Sequence, residues 1–141
     1  MITAARERKT ITLEAAQAVV DAGFAKATEK GIPFCLAVVD ESAQLVLFAR
    51  QDGCVLAAHK RARLKAETAA KFGQPTHGFW DFVKDDPILT TGLAGDHETL
   101  VMPGAIPLKV GDEVVGAVGA SGAHYSIDQE VVEAAAAAFP A

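Results

Sequence analysis

Apolar residues recur at helical spacing in three segments of this chain. The first segment covers residues 12–30, where Thr12 is a candidate N-cap and Gly31 follows as a stop signal. The second covers residues 55–72. The third begins at Ser126, whose hydroxyl is expected to cap the helix. The pattern therefore predicts three amphipathic helices.

The intervals between these helices contain apolar and β-branched runs separated by turn residues. Residues 34–40 and 45–50 flank a polar turn, which predicts a first hairpin. A second hairpin is predicted within residues 102–122, around a turn at residues 110–113. The predicted order is helix, hairpin, helix, loop, hairpin, helix.

The loop between the second helix and the second hairpin, residues 73–99, is predicted to be irregular. One short helix is expected at residues 78–84, and it should stop before Pro87. Trp80, the only tryptophan of the chain, lies here among several Phe and His residues. These side chains are candidates to line the binding pocket of a flat aromatic ligand or to form an oligomer interface. The alternative is that they anchor the loop to the core.

Length and charge limit the classes of partner. A chain of 141 residues, half of them hydrophobic, fits one domain over residues 1–141 with a substantial core. The net charge of −5 and the lack of a basic run argue against nucleic acid and anionic membranes as partners. No apolar stretch approaches the roughly 20 residues that cross a bilayer, and no signal sequence is recognisable. The expected localisation is therefore cytoplasmic. Cys35 and Cys54 are interpreted as buried free thiols, and the alternative is a disulfide between them.

Small and charged residues occupy different faces of the helix at residues 55–72. Lys65 borders a stripe of alanines, with Arg61 one turn before it. Its ammonium is expected to reach a pocket rim or a carboxylate, and the alternative is an ordinary surface lysine. The alanine stripe and the apolar loop around Trp80 together predict a homo-oligomer. The stripe consists of Ala58, Ala62, Ala66 and Ala69.

Several of these segments match one known family. They are the opening 11–16, the strand 36–40, the turn 50–53, the helical segment 65–69 and the strands within 103–122. As a set they resemble the GlcG/HbpS-like family, also called the haem-degrading domain family, which includes domains of some PduO-type cobalamin adenosyltransferases. The resemblance extends over residues 11–139.

The resemblance implies an α/β (α+β) fold, with an antiparallel sheet of about five strands flanked by helices in a profilin-like single domain. It also implies assembly into homo-oligomers. The implied ligand is haem or a related tetrapyrrole, and haem degradation is a further implied activity.

Haem binding needs an axial imidazole, apolar walls and cations that meet the propionates. His77 is the first choice as axial ligand because Phe79 and Trp80 lie beside it, and His124 is the second. The other available imidazoles are His59 and His97. The candidate ligand contacts are Arg50, Arg61, Lys65, Trp80, Gly119, Ser121, Gly122 and His124.

A different hypothesis is a small cofactor-independent isomerase, lyase or hydrolase that acts on a carbonyl or carboxylate metabolite. Lys65 would then be the base or hold a carboxylate, and His77 or His97 would shuttle a proton. The candidate oxyanion donors are Ser121 and the amides around Gly119 and Gly122. A third hypothesis is a structural or sensor subunit whose Trp80 loop contacts a partner chain.

Overall fold

The computed structural model describes residues 1–140. The helices are α1 (Leu13–Lys30), α2 (Ala58–Phe72), α3 (Thr76–Val83), α4 (Pro87–Ala94) and α5 (Tyr125–Ala137). The strands are β1 (Cys35–Asp40), β2 (Leu45–Arg50), β3 (Ala105–Val110) and β4 (Glu113–Ser121). None of the helices in residues 1–140 has both the length and the apolar character that a bilayer span requires.

The first helix, α1, follows directly from its sequence signals. The Thr12 hydroxyl accepts a hydrogen bond from the Ala15 N–H at 3.1 Å, which satisfies one free donor of the first turn. Gly31 ends the helix in the left-handed conformation at φ 70°, which glycine adopts without a steric penalty. The predicted helix at residues 12–30 is confirmed.

The four strands form one antiparallel sheet in the order β2-β1-β4-β3. Both predicted hairpins are confirmed, and each supplies two strands. The sheet has four strands rather than about five, because the segment between α2 and β3 adds helices and no strand. The central pair is β1 and β4, with Cys35 opposite Ser121 and Asp40 opposite Gly116.

Two layers of helices cover the sheet. On one face, α1 and α5 pack together over a core that includes Leu36, Val38 and Val118. On the other face, α2 packs against the central strands and meets Ala37 and Ala117. Removing these apolar faces from water is the main force that holds the layers together.

The alanine stripe of α2 is therefore covered by the sheet of the same chain. Its four alanines are at most 1% exposed. They let α2 approach β4 so closely that a Cβ atom on Gly119 would lie 2.7 Å from the Ala66 backbone nitrogen. The interpretation of the stripe as a self-association surface is wrong, because its small side chains serve packing within one chain.

The segment between α2 and β3 is more helical than predicted. The expected short helix is present as α3, but α4 was not expected because Pro87 reads as a stop. In the structure Pro87 lies in the first turn of α4, where its missing N–H leaves no partner unsatisfied. The Asp86 side chain caps this helix by accepting from the Ile88 and Leu89 N–H groups at 3.0 and 3.2 Å.

The N-cap of the last helix, α5, lies two residues earlier than predicted. This N-cap is His124, whose Nδ1 accepts a hydrogen bond from the Ser126 N–H at 3.2 Å. The Ser126 hydroxyl instead lies 2.8 Å from the same imidazole nitrogen. The prediction of Ser126 as the cap is wrong, because an imidazole nitrogen supplies the acceptor that the first turn needs.

Candidate functional site

A groove opens where the edge strand β2, helix α2 and the loop after α4 meet. Its volume is about 740 Å³, within the roughly 300–1,000 Å³ typical of small-molecule sites. We call it the histidine groove. It is lined by Leu45, Phe48, His59, Lys60, Arg63, Leu64, Glu67, His97 and Glu98. It brings two histidines that are distant in sequence to one surface.

His59 enters this groove from the first turn of α2. Its ring centroid lies 4.5 Å from that of Phe48 on β2, and the two rings are tilted by 59°. A tilted aromatic contact of this kind orients the imidazole without engaging its nitrogens. Phe48 therefore positions His59 and leaves its ring nitrogens available to a ligand.

His97 enters the groove from the loop between α4 and β3. The adjacent Asp96 carboxylate holds this loop by accepting from the Thr99 hydroxyl at 2.6 Å and from a loop N–H at 2.9 Å. These hydrogen bonds hold the pKa of Asp96 below its usual range. The Leu100 N–H donates to the Thr68 hydroxyl of α2 at 2.9 Å. The loop that carries His97 is thus held by hydrogen bonds within the loop and by one hydrogen bond to α2.

Both groove histidines differ from His124 in their hydrogen bonding. Among residues 1–140, the only hydrogen bonds of a histidine imidazole are those that His124 makes with Ser126. A neutral imidazole with a free nitrogen is a common metal ligand in proteins. His59 and His97 therefore have the chemistry that an axial ligand needs.

Charged side chains form the rim of the histidine groove. Arg63 pairs with Glu67 one turn later, with 3.2 Å between Nε and Oε1. Lys60 is exposed and forms no ion pair with another described residue. Leu45 and Leu64 supply apolar surface between the charges. The groove can thus hold an apolar body and offer cations to its carboxylates.

Two residues predicted to line a site, His77 and Trp80, lie on α3 outside the histidine groove. His77 is exposed. Trp80 is 43% exposed and lines two smaller cavities, of about 370 and 300 Å³. His97 lines the larger of these as well, so it stands between that cavity and the histidine groove.

Lys65 lies in the interior rather than at a pocket rim. Its Nζ is 2.7 Å from Asp128 Oδ2 and 3.2 Å from the Ala120 carbonyl oxygen, and its side chain is fully buried. Burial lowers the pKa of Lys65, and the Asp128 carboxylate opposes that change. The other oxygen of Asp128 accepts from the Gly122 and Ala123 N–H groups at 3.1 and 3.0 Å. The sequence predicted that the Lys65 ammonium reaches either a pocket rim or a carboxylate. In the structure it reaches the carboxylate of Asp128.

The glycine-rich end of β4 is likewise engaged in packing. A Cβ atom on Gly122 would lie 2.7 Å from the Phe34 ring, and Ser121 is only 4% exposed. Gly119 faces α2, as described above. None of these three residues lines the histidine groove. Their roles as ligand contacts or oxyanion donors stay predictions, as does the enzyme hypothesis that needs them beside Lys65.

The remaining predicted contacts, Arg50, Arg61 and His124, do not line the groove. Arg50 is exposed at the end of β2, and Arg61 is exposed on α2. The cations that do line it are Lys60 and Arg63, which flank Arg61 in sequence. His124 caps α5, and its ring contacts that of Tyr125 at a tilt of 35°, with ring centroids 4.0 Å apart.

Comparison with known proteins agrees with this architecture. The model of the family described as haem degrading protein HbpS-like matches residues 11–137. Protein GlcG of Escherichia coli K12 is 29% identical over 118 residues, which cover 79% of this chain and 81% of GlcG.

Solved structures show the same fold. Protein ORFY of Klebsiella pneumoniae superposes with a TM-score of 0.91 at 27% identity, covering 100% of this chain and 98% of ORFY. PduOC, crystallised as a complex with haem, superposes with a TM-score of 0.84 at 22% identity, covering 93% of this chain and 96% of PduOC. The predicted resemblance to the GlcG/HbpS-like family is confirmed, and since the family match spans nearly the whole sequence, the chain belongs to the HbpS-like family.

Proposed function

We propose that this chain binds haem or a related tetrapyrrole in the histidine groove. The observation that supports this most directly is the presence of His59 and His97, whose imidazoles make no hydrogen bond with a described residue, in one groove with an aromatic wall. The rim of this groove carries the cations Lys60 and Arg63 beside the carboxylates of Glu67 and Glu98. Family membership supports the same ligand, and the PduOC structure shows that a protein of this fold binds haem.

The lining residues fit the separate parts of such a ligand. Phe48 and Leu64 offer apolar surface to the macrocycle, while Arg63 and Lys60 can meet the propionates. His59 or His97 would offer an imidazole nitrogen to the iron. Bound haem would provide an iron centre for oxygen or electron chemistry, and the chain's own residues would hold it, orient it and limit the access of water.

The first test is an optical titration of the purified protein with hemin. Wild type should give a saturable Soret shift near one equivalent per chain or per dimer. His59→Ala or His97→Ala should weaken binding about tenfold or alter the Soret position, because the axial bond is lost. Haem degradation, which the family description adds, would appear as loss of the Soret band with a reductant and oxygen.

The comparison variants are His77→Ala and His124→Ala, which test the two ligands first expected from the sequence. We expect both to bind hemin within about twofold of wild type, since their side chains lie outside the groove. Unsaturable binding, or unchanged binding in the His59→Ala/His97→Ala double variant, would contradict the proposed site. A selective loss in His77→Ala would move the site to α3.

The groove also predicts which cation contacts the propionates. Arg63→Gln should weaken hemin binding by about threefold to tenfold, because a charge-assisted contact on a partly exposed rim is lost. Arg61→Gln is the matched control, since Arg61 lies on the same helix but does not line the groove. Equal affinities for the two variants in the same titration would remove Arg63 from the site.

Self-association into a homo-oligomer remains a proposal, and it now depends on exposed apolar side chains of α3 and α4. The alanine stripe no longer supports it, but α3 and the start of α4 still expose large apolar side chains. They are Trp80, Phe82 and Ile88, which are 43%, 69% and 83% exposed. A surface of this kind favours contact with a second copy over contact with water.

A further inference from the structure

Two free cysteines lie side by side in the core beneath α2. The Sγ atoms of Cys35 and Cys54 are 3.5 Å apart. Cys35 is fully buried, and Cys54 is 7% exposed. The pair is independent of the histidine groove, which neither cysteine lines.

Hydrogen bonds of the residues next to Cys35 and Cys54 hold the two cysteines close together. Cys35 begins β1, and Cys54 lies in the short connection between β2 and α2. The Gln51 N–H donates to the Phe34 carbonyl at 2.9 Å, and the Gln51 side chain accepts from the Phe34 N–H at 2.9 Å. The Cys54 N–H in turn donates to the Gln51 carbonyl at 3.2 Å. The connection is thereby anchored next to the start of β1.

We propose that Cys35 and Cys54 are a reversible redox modification site that forms an intramolecular disulfide in the presence of a peroxide. A disulfide has an S–S bond of about 2.05 Å, so the two sulfurs must approach by roughly 1.5 Å more. We expect rotation of the two side chains to supply this distance, because the sulfurs already lie within 3.5 Å of each other.

The chemistry proceeds in two balanced steps. The Cys54 thiol loses its proton, its sulfur attacks one peroxide oxygen and the O–O bond breaks; the departing hydroxide takes up that proton, so that a sulfenic acid and one water form. The Cys35 sulfur then attacks the Cys54 sulfur, the S–O bond breaks, and the departing hydroxide takes the Cys35 proton to form a second water. Two thiols are oxidised to one disulfide while one peroxide is reduced to two waters.

Burial of the two thiols is expected to make both formation and reduction of the disulfide slow. Desolvation, with the Cys54 thiol beside it, raises the pKa of Cys35 to about 12. The second step is therefore slow, because the thiolate is the nucleophile. The finished disulfide is also shielded from reductants, so we expect slow formation and slow reversal.

The test uses the wild-type protein, hydrogen peroxide and intact-mass spectrometry. The monomer should lose two hydrogens without gaining oxygen, and digestion with trypsin without reductant should yield residues 31–50 linked to residues 51–60. Dithiothreitol should reverse both results. The oxidised monomer should also melt about 5–10 °C higher, because the crosslink restrains the unfolded chain.

Cys35→Ser and Cys54→Ser are the paired controls. Cys35→Ser should stop at a sulfenic acid that dimedone traps, whereas Cys54→Ser should stay unmodified over the same period. The measurement on wild type is decisive even if a variant fails to fold. The proposal is overturned if both thiols of peroxide-treated wild type react with a thiol reagent after denaturation, or if the only disulfides join two chains.

Discussion

Lys65→Ala should lower the free energy of unfolding by about 3–5 kcal/mol. The substitution leaves the Asp128 carboxylate buried without the ammonium that lies 2.7 Å from it, and breaking a buried ion pair by removing one partner has a cost of this order. The bond also joins α2 to α5 across the end of β4, so the loss affects three elements. This reverses the result expected of a lysine at a pocket rim, for which stability would be nearly unchanged.

Chemical denaturation of Lys65→Ala beside Lys60→Ala measures the effect. Lys60 is exposed on the same helix and should change stability by less than about 0.5 kcal/mol. The double variant Lys65→Met/Asp128→Asn should recover much of the loss, because no charge is then left unpaired and the side-chain amide oxygen can still accept from the Gly122 and Ala123 N–H groups. Similar stabilities for Lys65→Ala and Lys60→Ala would show that the ion pair contributes little.

Gly119→Ala should destabilise the chain by about 3 kcal/mol. The new Cβ would lie 2.7 Å from the Ala66 backbone nitrogen and 3.1 Å from the Ala66 Cβ, and a backbone atom of a packed helix cannot give way cheaply. Either α2 lifts from β4 or the strand bends, and both changes reduce contact in the core.

Gly92→Ala is the matched control for this change. Gly92 lies on α4, where an added Cβ meets nothing within 4 Å, so alanine should stabilise the helix by about 0.5–1 kcal/mol. Thermal melts of the two variants should therefore shift in opposite directions. A neutral result for Gly119→Ala would mean that the interface between α2 and β4 is looser than described.

Local signals explain why much of the fold could be predicted. The N-cap Thr12, the stop at Gly31 and the turn residues of both hairpins act within a few residues of the structure they specify. The same locality explains one error. The sequence correctly predicts a helix end before Pro87 but misses α4, which begins at Pro87 and is indicated only by the capping residue Asp86.

The candidate site depends on long-range placement and could not be predicted in the same way. Phe48 and His59 meet because β2 lies at the sheet edge next to α2, a strand order that neither residue reveals. Asp128 is 63 residues from Lys65, so the sequence indicated a carboxylate partner without identifying it. His59 and His97 were available imidazoles, but no local signal ranked them above His77.

The central pairing of β1 with β4 has a consequence for synthesis of the chain. β1 is made early, whereas its inner partner is completed only at Ser121. Until then, one edge of the emerging N-terminal hairpin offers unpaired amides and carbonyls to any other extended chain. A chain that lacks β4 is therefore exposed to aggregation through this edge.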